Sequence, residues 1–302
     1  MSLHGLAHIT VGVPNISPVG AFYEDFGLTR SGENTFSTTD GGDQMTLVQQ
    51  PHRRLVSAVL NADDPDDIAR IRSNAEKAGY SVGSDGLSIT DPISKATFSV
   101  EVRPRIQQAS RPSPAMNAPG STVRKNDRSP AIFVEGPASP RRLGHVLMGT
   151  PDLEASIRFY VDVLGFKLSD SVPGLIAFLR CSNDHHNVGL MNAPVAFLHH
   201  TSWQLDDVDS IGAGAQNLMA TDPTRSIWGL GRHFLGSNLF WYFRDPAGNF
   251  AEYYADLDQI PDDDIWVART WEPEKSLYAW GPSVPQAFVE PTDLPELIAA
   301  AS

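Results

Sequence analysis

Three side chains able to exchange protons or bind a metal lie close together in one segment of the chain. His233, Tyr242 and Glu252 stand nine and ten residues apart in the sequence GRHFLGSNLFWYFRDPAGNFAE. This segment predicts a loop, a strand at 239–243, a turn at 245–248 and a second strand that carries Glu252. Two adjacent strands and the loop before them would place all three side chains on one wall of a cavity.

A second set of residues offers ligands for a metal ion. His145 lies in the strand-like stretch LGHVLM, His200 in FLHHTSWQL and Glu252 in NFAEYYAD. Two imidazoles and one carboxylate on three strands form the facial set that holds non-haem Fe(II) and leaves positions open for substrate and oxygen. Side chains alternate along a strand, so only one of His199 and His200 can point at the metal. We predict that His200 is the ligand and that His199 is its structural neighbour.

An earlier part of the chain resembles this one and acts as an internal control. When the two parts are aligned, the three ligand positions hold His8, Ser57 and Phe98, and Tyr242 is matched by Ser88. A single His in a strand is more often a hydrogen-bonded core residue than a ligand. If the fold alone demanded these residues, both copies would carry them. Because only the later copy keeps the complete set, we predict that the set performs chemistry.

The segment 229–252 resembles the signature of the type I extradiol ring-cleavage dioxygenases, which belong to the vicinal oxygen chelate superfamily. That signature consists of Gly-x-His, a short gap, an apolar residue and Tyr, an acid-Pro-x-Gly turn and a Glu. Its positions are matched here by Gly231, His233, Tyr242, Asp245, Pro246, Gly248 and Glu252. Trp241 departs from the pattern, which prefers an aliphatic residue or Phe before the Tyr. The likeness extends to LGHVLMGTPDLEASIRFYVDVLGF, HHNVGL and LHH, so it spans most of the chain and is strongest in the C-terminal half.

The resemblance implies a metal-dependent reaction. It makes His145, His200 and Glu252 the ligands of Fe(II), although Mn(II) suits the same imidazole and carboxylate donors. The substrates would be a catechol-class diol and dioxygen, and extradiol cleavage of the ring would give a hydroxymuconic semialdehyde-type product. The ring substituents of the diol and the choice between proximal and distal cleavage stay open, because they depend on the shape of the pocket.

The same resemblance implies catalytic roles for three further side chains. His186, the second His of CSNDHHNVGL, matches the acid–base histidine near bound dioxygen, and His185 receives no role. From the residues alone, the run DHH at 184–186 fits a polar hairpin tip equally well. His233 and Tyr242 match donors of hydrogen bonds to the bound diol. Histidine exchanges protons near neutral pH, and a preorganised His and Tyr would stabilise charge developing on the oxygens.

Two other functions are compatible with the sequence. A glyoxalase-like isomerase or lyase of the same superfamily would use the same ligands without dioxygen, and the presence of His186, His233 and Tyr242 speaks against it. A metal-free ligand-binding module is the other alternative. An intact set of three ligands in one half of the chain argues against that second alternative.

The elements that must position these residues recur in two halves of the chain. The segments at 6–28 and 143–166 both read as a strand, a Pro-containing turn and a helix, and further strand and helix segments follow in the same order. This repetition predicts two homologous α+β modules. The resemblance implies that each module pairs two βαβββ repeats into an incompletely closed eight-stranded barrel, the vicinal oxygen chelate or glyoxalase-like fold.

The predicted organisation has four parts. Residues 1–102 form an N-terminal module without the metal, 103–142 a Pro-, Ser- and Arg-rich linker, 143–260 the C-terminal catalytic, metal-binding module, and 261–302 a tail that packs on the modules. Large aromatics dominate ordinary burial, so packing explains the four in the tail more simply than a substrate pocket does. These aromatics are Trp266, Trp271, Tyr278 and Trp280.

Composition narrows the class of partners. The chain has 23 Lys and Arg against 36 Asp and Glu, a net charge of −13, which disfavours binding to nucleic acid or an anionic membrane. Cys181 is its one cysteine, which excludes an intrachain disulfide and a thiolate zinc site. The absence of a long apolar run and of a secretion signal predicts a cytoplasmic protein. We expect a homo-oligomer, as is usual for soluble enzymes.

Overall fold

The computed structural model describes residues 3–82, 87–111 and 115–301, and the first of its two sheets has seven strands. The strands are β1 (Leu3–Val13), β2 (Thr29–Arg30), β3 (Thr35–Thr38), β4 (Gly42–Gln49), β5 (Arg54–Ala62), β6 (Leu87–Thr90) and β7 (Thr97–Val102). Their order in the sheet is β2-β3-β4-β1-β5-β7-β6. The antiparallel pair β1 and β5 joins the two repeats of this first module at the centre of the sheet.

The second sheet has nine strands and contains the predicted site. They are β8 (Leu143–Thr150), β9 (Lys167–Val172), β10 (Ile176–Arg180), β11 (Val188–Asn192), β12 (Phe197–Gln204), β13 (Ser226–Arg232), β14 (Leu239–Arg244), β15 (Phe250–Ala255) and β16 (Arg269–Thr270). Their order is β13-β14-β15-β12-β8-β11-β10-β9-β16. Strands β8 to β11 form one repeat and β12 to β15 the other, and β8 pairs antiparallel with β12 at the junction.

One helix follows the first strand of each repeat, and two short helices lie in the tail. The helices are α1 (Ile16–Asp25), α2 (Pro65–Lys77), α3 (Leu153–Arg158), α4 (Val208–Thr221), α5 (Gln286–Val289) and α6 (Leu294–Ala301), and α3 continues as one π-helical turn over Phe159–Val163. Aspartates cap the starts of α2, α3 and α4 by accepting a backbone N–H three residues on. Within the described ranges, every helix is too short or too polar to cross a lipid bilayer.

The α+β fold of paired repeats is confirmed, and the second module has the expected eight strands, β8 to β15, whereas the described residues of the first module form only seven. The second repeat of the first module runs strand, helix, strand, strand in the described residues, because only nine residues (78–86) separate α2 from β6. The matching interval between α4 and β14 has seventeen residues (222–238), enough for β13 and its return loop. The second sheet gains a ninth strand because β16 of the tail pairs with β9.

The strand register corrects one position of the internal alignment. Val59 and Ser202 are equivalent, since each pairs with the histidine of the first strand of its module. On the other side, Ser202 pairs with Glu252, and Val59 pairs with Ser99. Ser99, and not Phe98, is therefore the counterpart of Glu252, because the Asp-Pro turn before β7 is one residue longer than the turn before β15. Phe98 is instead a buried core residue.

One continuous hydrophobic core joins the two modules. Tyr253 stacks on Phe26 with ring centroids 4.0 Å apart, and its hydroxyl donates to the Phe26 carbonyl at 2.6 Å. The hydroxyl of Tyr23 lies 3.2 Å from Oγ1 of Thr201. Thr201 and Tyr253 belong to β12 and β15, whose opposite faces carry two of the predicted ligands. Packing of the first module therefore supports the strands that hold the site.

The tail lies against the second sheet. Trp266 Nε1 donates to the Ser169 carbonyl at 3.0 Å, and Trp228 Nε1 donates to the Pro282 carbonyl at 2.8 Å. The buried guanidinium of Arg53, in the first module, pairs with Asp293 of the tail at 2.6 Å. The tail therefore contacts both modules, while the boundaries given above for the four parts stay a prediction.

Candidate active site

Three neighbouring strands bring His145, His200 and Glu252 together. Ser202 of β12 pairs with His145 on one side and Glu252 on the other, and His200 lies two residues earlier on the same face. All three side chains are buried, with ligand atoms within 4.8 Å of one another. Glu252 Oε2 lies 3.0 Å from His145 Nε2 and 3.6 Å from His200 Nε2. This is the one group of its kind in the described part of the chain.

The atoms at the centre of this cluster fit a divalent metal. His200 Nε2 and Glu252 Oε2 are buried, and neither has a hydrogen-bond partner among the described residues. Burial raises the pKa of the Glu252 carboxyl, yet His145 and the neighbouring imidazoles outweigh burial and hold that pKa well below its usual value. A buried carboxylate beside imidazole nitrogens is costly unless a cation compensates its charge. Two nitrogens and one oxygen are the donor set of a non-haem Fe(II) or related site.

His199 orients the ring of His200. Its Nε2 donates to the Phe288 carbonyl at 2.7 Å, so its Nδ1 is an acceptor in the neutral ring. Burial lowers the pKa of His199 to about 4, which keeps the ring neutral near pH 7. The Nδ1 of His200 lies 2.8 Å away and donates to it. The lone pair of His200 is therefore on Nε2, beside Glu252.

Asn238 holds the second oxygen of Glu252. Its Nδ2 donates to Glu252 Oε1 at 3.2 Å, and its backbone carbonyl accepts from the His233 N–H at 2.8 Å. The side chain is fully buried. Sequence reasoning did not select Asn238, because it lies in the gap of the signature where no residue type is specified. Its position directly before a strand that carries the Tyr of the signature was the one available signal.

His233 and Tyr242 are bonded to each other. The Nδ1 of His233 donates to the Leu277 carbonyl, so Nε2 accepts from the Tyr242 hydroxyl at 2.9 Å. Burial, followed by the charge of Glu252, raises the pKa of Tyr242 well above its usual value. Tyr242 pairs directly with Glu252 across β14 and β15, and His233 Nε2 lies 3.6 Å from Glu252 Oε1. The three residues lie together, as their spacing predicted, but only His233 and Tyr242 line the cavity described below.

His186 lies beside the cluster formed by His145, His200 and Glu252. The centroid of its ring is 4.2 Å from that of His145 and 4.8 Å from that of Phe178. Burial lowers its pKa well below the usual value, and His145 and His185 add to the shift. The residues of the run DHH at 184–186 are all buried, so the run is not an exposed hairpin tip.

An apolar cavity opens beside these histidines. It encloses about 720 Å³ free of protein atoms, part of which is open to solvent. Its polar lining consists of His145, His186, His199, His200, His233, Tyr242 and Ser276. Its apolar lining consists of Leu147, Leu175, Ile176, Phe178, Met191, Leu235, Leu277, Phe288 and Val289. No Lys or Arg of the described residues lines it.

The tail contributes to the cavity, but not through the four aromatics that the sequence singled out. Ser276, Leu277, Phe288 and Val289 line the cavity. The four aromatics singled out in the sequence are absent from its lining: Trp266, Trp271, Tyr278 and Trp280. Trp266, Trp271 and Tyr278 pack against other residues, as the sequence favoured, whereas Trp280 is half-exposed.

Known proteins resemble the chain over most of its length. Residues 142–253 match the family model described as the glyoxalase/bleomycin resistance protein/dioxygenase superfamily. Metapyrocatechase 2 of Cupriavidus necator is 33% identical over 97% of this chain and 93% of that protein. The iron-dependent extradiol dioxygenase of Rhodococcus jostii (strain RHA1) is 31% identical over 46% of this chain and 50% of that protein. The Mn(II)-bound glyoxalase from Novosphingobium aromaticivorans superposes with a TM-score of 0.75, at 25% identity, over 100% of this chain and 99% of that one.

Proposed function

The chain belongs to the extradiol ring-cleavage dioxygenases of the glyoxalase/bleomycin resistance protein/dioxygenase superfamily, and we propose that His145, His200 and Glu252 hold its catalytic metal. The reaction is the cleavage of a catechol-class diol by dioxygen. One observation carries the proposed site. Two buried atoms that could bind a metal, His200 Nε2 and Glu252 Oε2, have no hydrogen-bond partner among the described residues, and an apolar cavity lies next to them.

We propose Fe(II) as the metal. A set of two His and one carboxylate with open positions is the donor set of non-haem Fe(II) oxygenases, and the relative from Rhodococcus jostii is named as iron-dependent. Mn(II), bound in the structurally similar glyoxalase, suits the same atoms. Anaerobic loading with each metal, followed by oxygen uptake with a diol, decides between them.

The residues around the metal supply binding, orientation and proton transfer. His145, His200 and Glu252 would hold the metal, whose charge would lower the proton affinity of the diol oxygens. His186, on the cavity wall, takes the proton released by the diol and returns it later in the reaction. His233 holds the Tyr242 hydroxyl beside the diol oxygens. In this arrangement neither side chain has a free donor, so donation to the diol requires the Tyr242 hydroxyl to turn away from His233. The apolar lining excludes water, which strengthens these polar interactions.

We propose that the substrate is an uncharged catechol with an apolar substituent. The cavity offers aliphatic and aromatic side chains such as Ile176, Phe178 and Phe288, and no basic side chain of the described residues. Burying apolar surface contributes about 25 cal/mol per Å². A carboxylate on the substituent would be buried without a counter-charge, which is costly.

Oxygen uptake by protein loaded anaerobically with Fe(II) tests both the reaction and the substrate class. We expect uptake and a yellow product with catechol, 3-methylcatechol and 2,3-dihydroxybiphenyl. For 3,4-dihydroxyphenylacetate we expect kcat/KM lower by about 100-fold, since an unpaired buried charge costs several kcal/mol. Equal kcat/KM for charged and apolar diols would contradict the apolar class. Turnover of a hemithioacetal, with no uptake on any diol, would favour the glyoxalase-like alternative.

His199 is predicted to support metal binding. In His199→Phe the Nδ1 of His200 loses its acceptor and the Phe288 carbonyl loses its donor. We expect the affinity for Fe(II) to fall about 10- to 100-fold, as is typical when a partner of a ligating histidine is removed. Competition with a chromophoric chelator measures this affinity. His199→Gln, whose amide can both accept and donate, is the control and should retain more of the affinity. Equal affinity in wild type and His199→Phe would exclude the role.

Other properties of the protein stay predictions. The net charge of −13 supports the absence of a nucleic-acid partner. A cytoplasmic location and a homo-oligomer are also expected, the latter because most soluble oligomers are symmetric homo-oligomers. Light scattering on the protein as it elutes from a gel-filtration column measures the oligomeric state.

A further inference from the structure

A buried row of three side chains leads from the active-site cavity to a second cavity. His186 lines the first cavity, and Asp170 lines the second, which is next to the tail. His185 lies between them and is fully buried. The Nδ1 atoms of His186 and His185 are 3.0 Å apart, and Nε2 of His185 is 3.1 Å from Asp170 Oδ2.

The directions of these hydrogen bonds follow from Asp170. Its Oδ1 accepts from the Arg269 N–H at 2.8 Å, and a carboxylate oxygen can only accept, so His185 Nε2 donates to Oδ2. In a neutral ring the Nδ1 of His185 is then the acceptor, and the Nδ1 of His186 donates to it. The lone pair of His186 is therefore on Nε2, which receives no hydrogen bond from the described residues. A base needs that lone pair.

The surroundings hold this row in place. β16 pairs with β9 at Asp170, which brings the Arg269 N–H to the carboxylate. Trp266 packs edge-on against the ring of His185, with centroids 5.5 Å apart and planes at 77°. The backbone N–H of His185 donates to the Asp258 carbonyl at 2.9 Å. Asp170 and His185 are therefore fixed by segments that carry none of the proposed metal ligands.

We propose that Asp170 and His185 are positioning residues that hold His186 in the tautomer with its lone pair on Nε2. The proposal rests on the proposed role of His186 as the acid–base residue. Neither Asp170 nor His185 lines the active-site cavity or contacts a proposed metal ligand through a hydrogen bond of the described structure. Their effect on the reaction passes through His186 alone.

Asp170→Asn reverses every hydrogen bond of the row. The Arg269 N–H still needs an acceptor, so the amide oxygen of the Asn turns to it and the amide NH₂ faces His185. The Nε2 of His185 must then accept, its Nδ1 must donate, and the Nδ1 of His186 must accept. The proton of His186 then lies on Nε2, the atom whose lone pair must accept the proton of the diol. A wrong histidine tautomer of this kind lowers kcat about 10⁴-fold in a serine protease.

We expect Asp170→Asn to lower kcat by about 10²-fold or more, with KM for the diol and Fe(II) content unchanged. Asp258→Asn, the same change at another carboxylate of the second cavity, is the control and should keep the wild-type kcat. His185→Phe removes the acceptor for His186 without imposing the wrong tautomer, so its kcat should fall less than that of Asp170→Asn. The double variant Asp170→Asn/His185→Phe should have the same kcat as His185→Phe. A wild-type kcat in Asp170→Asn would overturn the proposal, and so would a double variant as slow as Asp170→Asn.

A second readout needs neither metal nor turnover. In metal-free protein with ¹⁵N-labelled histidine, NMR should show an unprotonated Nε2 for His186 in the wild type and a protonated Nε2 in Asp170→Asn. The same tautomer in both would overturn the proposal. If Asp170→Asn does not fold, His185→Phe becomes the test, because a wild-type kcat in His185→Phe would also overturn the proposal. Failure of the wild type to consume oxygen with any diol would contradict the proposed function instead, and the NMR result would still test the row.

Discussion

Glu252→Gln is expected to lose its iron and, with it, all oxygen uptake. The amide matches the carboxylate in size but carries no charge, and one oxygen of Glu252 is already held by Asn238. The other would be replaced by an NH₂ group that faces His145 and His200 and can donate to them. Metal binding depends on deprotonated ligands, so we expect the affinity for Fe(II) to fall by about 10³-fold or more. Metal analysis after gel filtration and oxygen uptake on the same sample measure both effects.

The first module supplies the matched control for ligand removal. His8 is the counterpart of His145, and it bonds to the Thr46 hydroxyl and the Asp43 carbonyl outside the metal cluster. His145→Ala should lose iron as Glu252→Gln does, whereas His8→Ala should keep wild-type iron content and cost about 1 kcal/mol of unfolding free energy. Normal iron content and turnover in Glu252→Gln would remove Glu252 from the ligand set.

The cluster of His145, His200 and Glu252 could be predicted because its residues obey local rules. Period-two alternation on β12 allowed one ligand from the pair His199 and His200, and the structure places Nε2 of His200 3.6 Å from Glu252 Oε2. His199 instead bonds to Phe288. The paired-repeat fold, which the structure confirms, could be predicted for a similar reason. Its strands and helices follow from short sequence patterns that recur in both halves.

The parts that were not predicted depend on contacts between distant segments. Asp170 and His185 are 15 residues apart and meet only where the loop after β10 returns to β9. The Phe288 carbonyl that bonds to His199 comes from the tail, 89 residues along the chain. Asn238 lies in the gap of the signature, where no residue type is specified. No local pattern records such pairings, so the sequence could mark His186 and His200 but not the groups that orient them.

The adjacent histidines His185 and His186 form the same pattern of hydrogen bonds as His199 and His200. In each pair the first histidine bonds outward through Nε2, to Phe288 or to Asp170, and accepts inward at Nδ1. The second histidine is left with a free Nε2 near the cavity. For His200 that nitrogen is beside Glu252 and suits a metal, whereas His186 lies outside the cluster of ligand atoms and suits a proton. The same local arrangement therefore supports two different roles.

His186→Asn should separate these roles, because it removes the base and leaves the metal site intact. The amide NH₂ of Asn can replace the Nδ1–H that His186 donates to His185, while the group that exchanges the proton is lost. We expect kcat to fall about 10²- to 10⁴-fold, the usual contribution of a general acid–base residue. Iron content should be unchanged, since His186 is not in the ligand cluster.

The measurement that isolates this effect compares diol binding with turnover. Anaerobic titration of the iron-loaded variant with a diol should give a dissociation constant within about threefold of wild type. A change that lowers only kcat leaves the binding of the diol in the ground state unaffected. Oxygen uptake on the same preparation should show the loss in kcat. A wild-type rate would exclude His186 as the acid–base residue and would remove the basis for the role of Asp170. A variant that instead loses iron would place His186 among the metal ligands, next to His145, whose ring it contacts.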